Sequence, residues 1–172
     1  AVLQEQETEF ADVDVDPIKM EVDMEEIVSV EELTELAEDG QNTEFTNQSV
    51  DSDYLLPNGE FLRNNSTFIG KGITNGEIYD LGSFPGAVFD ENSFNTIYGE
   101  VYKITSNIEA VISALDTYEG INDPTFDYYE KKEAFIQVHT TQIKASVYHL
   151  KKCPNGFKRI ESGDYSKYLD SI

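Results

Sequence analysis

Acidic residues are concentrated at one end of this 172-residue chain. Eighteen of the 34 acids lie within the first 53 positions, against a single base, Lys19. This segment therefore carries a formal charge of about −17 out of the total of −22. The remainder holds all ten Tyr and eight of the ten Phe, so the hydrophobic core is expected there. The asymmetry predicts an acidic arm and linker over residues 1–53 and one globular domain over residues 54–172.

Charge and composition exclude several classes of partner. The net charge of −22 repels nucleic-acid phosphates and anionic membrane surfaces, so neither is an expected partner. Cys153 is the single cysteine, which rules out an intramolecular disulfide. No apolar run approaches the roughly 18 residues of a membrane span, and no signal peptide is visible. These features favour an intracellular protein, in the cytoplasm or in a particle assembled there.

Apolar and polar residues alternate in the first half of the arm. A period of two is typical of an extended strand with one apolar face, and Pro17 limits it to an edge strand or two short pieces. Such a face needs cover from the chain's own domain, another subunit or a different protein. The residues expected to dock are Val13, Val15, Ile18, Met20, Val22 and Met24. A disordered acidic tail, or an acidic mimic of nucleic acid that blocks basic sites, is the alternative.

A short helix is predicted next, over about residues 29–39. Ser29 and Glu32 have the spacing of a capping box, and Gly40 is a stop signal. Leu33 and Leu36 give it a narrow apolar stripe, so a helix this short needs a surface to dock on. A protein partner or self-association through residues 1–53 is therefore expected. Residues 41–53 are predicted to be polar linker.

The domain pattern predicts an α+β fold that is mainly β, with many short strands around one helix. An Asn75-Gly76 turn is expected to join two of the strands as a hairpin. A second hairpin is expected across Thr140-Thr141. Strands are predicted at 67–70, 77–81, 96–102, 135–138 and 143–150, with another after the Gly/Pro turn at 81–88. Together they suggest a small closed or nearly closed sheet.

The predicted helix of the domain ends at an unusual glutamate. Ile108, Val111, Ile112 and Leu115 form one apolar face, after a predicted Ser106/Glu109 capping box and before a Gly120 stop. At 100° per residue, Glu119 falls on that same apolar face. Burial and the helix dipole both favour its protonated form, which raises its pKa toward neutrality. Such a carboxyl suits proton transfer at neutral pH, although Glu119 would be ordinary if it bent outward at a frayed helix end.

Five motifs of the domain resemble the γ-glutamylcyclotransferase-like superfamily in order and spacing, over about residues 54–169. The resemblance implies a small β-barrel flanked by helices. The motifs are Phe68-Ile-Gly-Lys-Gly72, Ile78-Tyr-Asp-Leu-Gly-Ser-Phe-Pro-Gly-Ala-Val88, Tyr98-Gly-Glu-Val-Tyr102, Leu115-Asp-Thr-Tyr-Glu-Gly120 and Glu161-Ser-Gly-Asp-Tyr-Ser-Lys-Tyr168.

The resemblance implies a chemistry and a set of site residues. Glu119 matches the family's general acid/base, which serves an intramolecular aminolysis that turns a γ-glutamyl group into 5-oxoproline. No metal or other cofactor is implied. A small γ-glutamyl ligand is the expected substrate. Residues expected to line its pocket are Gly82, Gly86, Tyr128, Tyr129 and Tyr148, which turn geometry or core packing explains equally well.

One family motif is absent. Family enzymes begin with an apolar strand that ends in Tyr-Gly-Ser/Thr-Leu, whose backbone amides hold the substrate. The corresponding substrate-binding positions here are Asp53, Tyr54 and Leu55, which bring bulk and negative charge. This departure favours a non-catalytic or weakly active domain used for binding or assembly, with the acidic arm as its docking device. The alternative is an active cyclotransferase that uses Glu119.

Overall fold

The computed structural model describes residues 42–46, 59–152 and 155–172. The predicted extended segment and helix of the arm lie outside these ranges, as do Asp53, Tyr54, Leu55 and Cys153. The described elements, in chain order, are β1 (Thr43–Thr46), α1 (Gly59–Asn65), β2 (Ser66–Asp80), β3 (Pro85–Phe89), β4 (Thr96–Ile104), α2 (Ile108–Tyr118), β5 (Tyr129–Val138), β6 (Thr141–Leu150), β7 (Lys158–Arg159) and α3 (Tyr165–Asp170).

Five strands close into a barrel in the order β2-β4-β1-β6-β5, and β5 returns to β2 where Gln137 pairs with Ile73. Strands β3 and β7 extend β2 beyond the barrel. Closure leaves no free sheet edge within the ring, so each of its backbones has hydrogen-bonding neighbours on both sides. The predicted small, mainly β barrel with a flanking helix is confirmed.

Strand β1 comes from the stretch that the sequence predicts as polar linker. It pairs antiparallel with β4 (Phe45 opposite Val101) and parallel with β6 (Glu44 opposite Ser146). The prediction of linker is therefore wrong at Thr43–Thr46. Phe45 is the single apolar residue of Thr-Glu-Phe-Thr, so no period-two pattern marks the strand. Pairing on both sides buries its polar residues as well.

Strand β2 is continuous over 15 residues, so the predicted hairpin at Asn75-Gly76 is wrong. Residues 66–75 pair with β4, and from Gly76 onward the strand pairs with β3 instead. Gly76 has φ 152°, and a Cβ there would lie 2.3 Å from the carbonyl oxygen of Val88. Glycine is thus required for a close backbone approach where β2 changes partner, not for a turn.

The predicted hairpin near residue 140 is confirmed, with β5 and β6 paired from Tyr129–Leu150 to Val138–Thr141. His139 takes the left-handed conformation at the turn (φ 51°). Strand β5 begins six residues earlier than predicted, at Tyr129. This extension brings Tyr129 and Lys131 into the barrel wall.

Helix α2 presents its predicted apolar face, with Val111 and Leu115 buried. The predicted capping box is wrong, because Asn107 is the N-cap and the Ser106 hydroxyl donates to Asn65 Oδ1 instead (3.0 Å). The C-terminal end follows the prediction. Gly120 is left-handed (φ 67°), and the N–H of Ile121 donates to the carbonyl of Asp116 (2.8 Å), which forms a Schellman motif. This cap fixes the direction of Glu119.

The core has two main parts. The barrel interior packs Phe45, Ile97, Val101, Ile136 and Val147, among other apolar residues. Outside it, α1 and α2 pack through Leu62, Val111 and Leu115 against Tyr102 and Ile104 of β4. None of the helices in the described ranges is long and apolar enough to cross a membrane.

Candidate active site

A cavity of about 290 Å³ lies between the C-terminal end of α2 and strands β1, β3, β5 and β6. Two carboxyl side chains line it, Glu44 from β1 and Glu119 from the end of α2. Most of the remaining wall is aromatic or aliphatic, including Phe45, Phe84, Phe89, Tyr118 and Phe126. Few polar groups in a mostly apolar concave site are typical of a small-molecule pocket.

Glu119 is the C-cap residue of α2, and its N–H donates to the carbonyl of Leu115 (2.9 Å). The side chain faces the cavity, as the helical period predicts. Burial, reinforced by the nearby charge of Glu44, raises the pKa of Glu119 from 4.5 to about 7. The carboxyl is therefore present in both protonation states at neutral pH, which suits a group that both accepts and donates a proton.

Glu44 is a second buried carboxyl, and the sequence pattern did not predict it. The residue is only 3% exposed, and burial raises its pKa to about 7 even though Lys131 opposes the shift. Lys131 Nζ lies 3.5 Å from Glu44 Oε1. Among the described residues, Oε2 has no hydrogen-bond partner. No local signal marks Glu44, because it stands between a threonine and a lone phenylalanine in a polar stretch and becomes buried only where β1 joins the barrel beside Lys131 and Asp116.

Lys131 connects the two sides of this cluster. Its Nζ lies 3.1 Å from Asp116 Oδ1 on helix α2, and it also sits 5.4 Å from the centre of the Tyr148 ring. The hydroxyl of Tyr148 donates to the same Asp116 oxygen (2.6 Å). Burial raises the pKa of Tyr148, so its phenol stays a neutral donor. One lysine thus serves two carboxylates, Asp116 and Glu44.

Tyr129 supplies a further part of the wall. Its hydroxyl donates to the carbonyl oxygen of Pro85 (3.2 Å), which ties β5 to the start of β3. Burial raises the pKa of this phenol as well, so it remains neutral. Tyr129 and Tyr148 are the two tyrosines of the predicted set that line the cavity.

The other predicted pocket residues lie elsewhere. Tyr128 is 44% exposed and packs edge-on against Phe126, outside the cavity wall. Gly82 belongs to a turn, where its N–H donates to Asp80 Oδ1 (2.8 Å). Gly86 is packed under Leu81 and Leu150, so it shapes the wall only through its neighbours Pro85 and Ala87. Asp53, Tyr54 and Leu55 are outside the described residues.

The raised pKa of Glu44 predicts a pH-dependent stability. Between 4.5 and about 7 the folded chain holds a proton that the unfolded chain has lost. The stabilisation by that proton is complete below pH 4.5 and is lost as the pH rises through 7, by about 2 kcal/mol between pH 5.5 and 8. Urea unfolding should show this loss in the wild type and a smaller loss in Glu44→Gln, with the variant the more stable at pH 8. Equal losses in the two proteins would show that Glu44 titrates normally.

Fold and cavity together define a closed barrel with a carboxyl of raised pKa in a cavity at a helix end. Residues 53–167 match the family described as gamma-glutamyl cyclotransferase, AIG2-like. The chain belongs to this family. The gamma-glutamylcyclotransferase family protein YtfP of Escherichia coli strain K12 is 36% identical to it over 93 residues, which are 54% of this chain and 70% of YtfP.

Two solved structures share the fold. YkqA from Bacillus subtilis superposes with a TM-score of 0.53 at 23% identity, over 76% of this chain. The chain spans only 43% of the length of YkqA. An AIG2-like protein from Mus musculus superposes with a TM-score of 0.51 at 17% identity, over 66% of this chain and 80% of its own length. At these identities the likeness shows the barrel architecture alone.

Proposed function

We propose that this chain is an active γ-glutamylcyclotransferase that converts γ-glutamyl amines into 5-oxoproline and a free amine, with Glu119 as general acid/base. The observation that carries the proposal is the position of Glu119, held by the helix cap in an apolar cavity with its pKa at about 7. Family membership supports the reaction class.

The reaction needs one proton shuttle. Glu119 in its ionised form removes a proton from the α-ammonium group of the γ-glutamyl moiety. The free α-amine then attacks the γ-carbonyl carbon, so that a new C–N bond closes the five-membered lactam. The bond to the leaving nitrogen breaks as Glu119 returns the proton to it. The ring nitrogen, which attacked as an NH2 group, then loses its extra proton to the released amine, so the products are a neutral lactam and an ammonium ion. Atoms and charges balance without an oxidant or a second substrate.

The raised pKa suits both halves of this cycle. A carboxyl with a pKa near 4.5 would be a weak base toward an ammonium group and would rarely hold the proton for the leaving nitrogen. With a pKa of about 7, Glu119 gains and loses a proton with similar free-energy changes at neutral pH. The surrounding aromatic wall limits water access and so sustains the shift.

Strand β1 weakens the sequence argument for a non-catalytic domain. A non-catalytic domain is expected if both the first apolar strand and the Tyr-Gly-Ser/Thr-Leu motif are missing. Thr43–Thr46 occupies a place between β4 and β6, so a strand precedes the substrate-loop positions after all. The motif remains absent from the sequence. We therefore expect an active enzyme whose substrate is held partly by groups other than those of the family motif.

Incubation with a panel of γ-glutamyl amines tests the proposal, with 5-oxoproline measured by chromatography and mass spectrometry. We expect time-dependent 5-oxoproline at neutral pH. Matched controls are the α-glutamyl isomers, which place the amine wrongly, and N-acetyl-γ-glutamyl amines, whose nitrogen cannot attack. Absence of 5-oxoproline across the panel would reject the enzyme and favour the binding or assembly role.

A docking role for the acidic arm is a second, compatible proposal. It is supported by the charge of about −17 over residues 1–53 and by the alternating apolar residues of the arm. Because β1 belongs to the barrel, the docking segment is narrowed to residues 1–41. The mass in solution, measured by light scattering, and the set of co-purifying proteins should differ between the full chain and a chain lacking residues 1–41. If neither differs, the arm has no docking role; competition with DNA for a basic protein would identify it as a nucleic-acid mimic.

A further inference from the structure

The cavity is short of positive charge. Around Glu44, helix α2 contributes Asp116 and Glu119, β5 contributes Lys131, and β6 contributes the neutral Tyr148. Among these described residues three carboxyls share one cation. Lys131 lies closer to Asp116 (3.1 Å) than to Glu44 (3.5 Å). A buried charge needs a partner, so Glu44 must either hold its proton or receive a cation from outside.

Glu44 lines this cavity and has one carboxyl oxygen without a partner among the described residues. Its Oε2 is buried and has no hydrogen-bond partner among the described residues, whereas Oε1 faces Lys131. Since buried polar atoms are nearly always paired, an unpaired carboxyl oxygen on a residue that lines a cavity indicates a missing donor. A ligand ammonium group is a donor that also supplies the missing charge.

The rest of the wall suits the same group. Phe84, Tyr118 and Phe126 are among the aromatic residues that line the cavity together with the two carboxyls. Aromatic faces attract cations, and the attraction grows where water is excluded. The cavity therefore matches a compact ammonium group better than a neutral or anionic one.

We propose that Glu44 is a specificity-determining residue whose Oε2 accepts a hydrogen bond from the α-ammonium group of the γ-glutamyl ligand, while Glu119 takes the proton of that group. The inference rests on the proposed function for the identity of the ligand. In this arrangement β1 supplies recognition through a side chain. Ligands that lack the α-amine, or carry it acylated, are excluded.

Binding measurements in a turnover-blocked protein test this role. The full chain with Glu119→Gln is titrated with γ-glutamyl-butylamide and with glutaric acid monobutylamide, which differs only in lacking the amine. We expect the amine compound to bind at least about tenfold more tightly, as charged hydrogen bonds allow. Adding Glu44→Gln should bring the ratio of the two dissociation constants, here called the binding ratio, close to one. Adding Glu109→Gln, an exposed glutamate on α2, should leave it unchanged.

A second readout does not depend on the Glu44 variant folding. At pH 6 Glu44 is mostly protonated, because burial raises its pKa to about 7. An arriving ammonium group must displace that proton. Calorimetric titration of the Glu119→Gln protein with the amine compound, in two buffers of different ionisation enthalpy, should therefore show release of close to one proton. Absence of proton release would overturn the inference.

The outcomes separate the two proposals. Wild-type formation of 5-oxoproline, with a binding ratio that Glu44→Gln does not alter, would overturn the role of Glu44 and leave the enzyme intact. If the binding ratio depends on Glu44 but the wild type forms no 5-oxoproline, the ammonium site is supported and the proposed enzyme activity is rejected. Failure of the turnover-blocked protein to bind the amine compound would overturn the inference directly.

Discussion

Replacing Glu119 with Gln is expected to lower kcat/KM for 5-oxoproline formation by about 10²–10⁴-fold, the range that a positioned general acid/base contributes. Glutamine keeps the size and the hydrogen-bonding shape of the side chain but cannot exchange a proton. The loss should therefore fall mainly on kcat. Steady-state kinetics with the best γ-glutamyl amine measure it.

The matched control is Glu109→Gln, the same substitution on the same helix but at an exposed position. It should change kcat/KM by less than about twofold, since an exposed first-turn glutamate touches no part of the cavity. The Glu119→Gln protein must also show an unfolding transition like that of the wild type. Full activity in a folded Glu119→Gln protein would remove the general acid/base from the account.

Removing residues 1–53 is expected to abolish cooperative folding, whereas removing residues 1–41 leaves the barrel folded. The longer deletion removes β1, which leaves β4 and β6 without the strand between them. It also removes Phe45 from the core. Loss of one buried Phe side chain alone costs about 3–5 kcal/mol, a large part of the roughly 5–15 kcal/mol that stabilises a typical domain.

Circular dichroism and thermal unfolding of the two truncated chains measure this difference. We expect a single cooperative transition near that of the full chain for the 1–41 deletion and no transition for the 1–53 deletion. Equal transitions in the two proteins would show that β1 is dispensable, and Glu44 would then lose its place in the cavity.

The elements that a local sequence pattern specifies lie where the sequence predicts them. The i, i+3, i+4, i+7 spacing of α2 fixes its buried face, and Gly120 ends it because a left-handed residue is needed there. These two facts place Glu119, so the candidate acid/base is predictable before any coordinates are known. The β5–β6 hairpin follows from alternation in the same way.

The elements that depend on partners distant in sequence cannot be predicted from a local pattern. Thr43–Thr46 becomes a strand because β4 and β6 hold it from both sides, although its own residues are mostly polar. Asn75-Gly76 resembles a turn but lies within a strand that exchanges one partner for another. For the same reason Glu44 could not be found, since its burial depends on the long-range pairing that places β1 in the barrel.

The tyrosines near the cavity show that the sequence does not predict which of two neighbouring side chains is buried. Tyr128 and Tyr129 are adjacent and chemically identical, yet only Tyr129 lines the cavity. Strand β5 begins at Tyr129, and this start decides which ring is buried. Strand ends are the least regular part of a sequence pattern, so the choice requires the structure.

Titration of the glutamate side-chain carboxyls by ¹³C NMR tests the central claim most directly. Two carboxyls of the wild type should titrate near pH 7 as a coupled pair, and one signal should disappear in each of Glu44→Gln and Glu119→Gln. In Glu44→Gln the remaining pKa, that of Glu119, should fall, because the charge of Glu44 helps to raise it. A Glu119 carboxyl that titrates near its ordinary value of 4.5 would contradict the account, since such a group has neither the burial nor the proton affinity that the proposed chemistry requires.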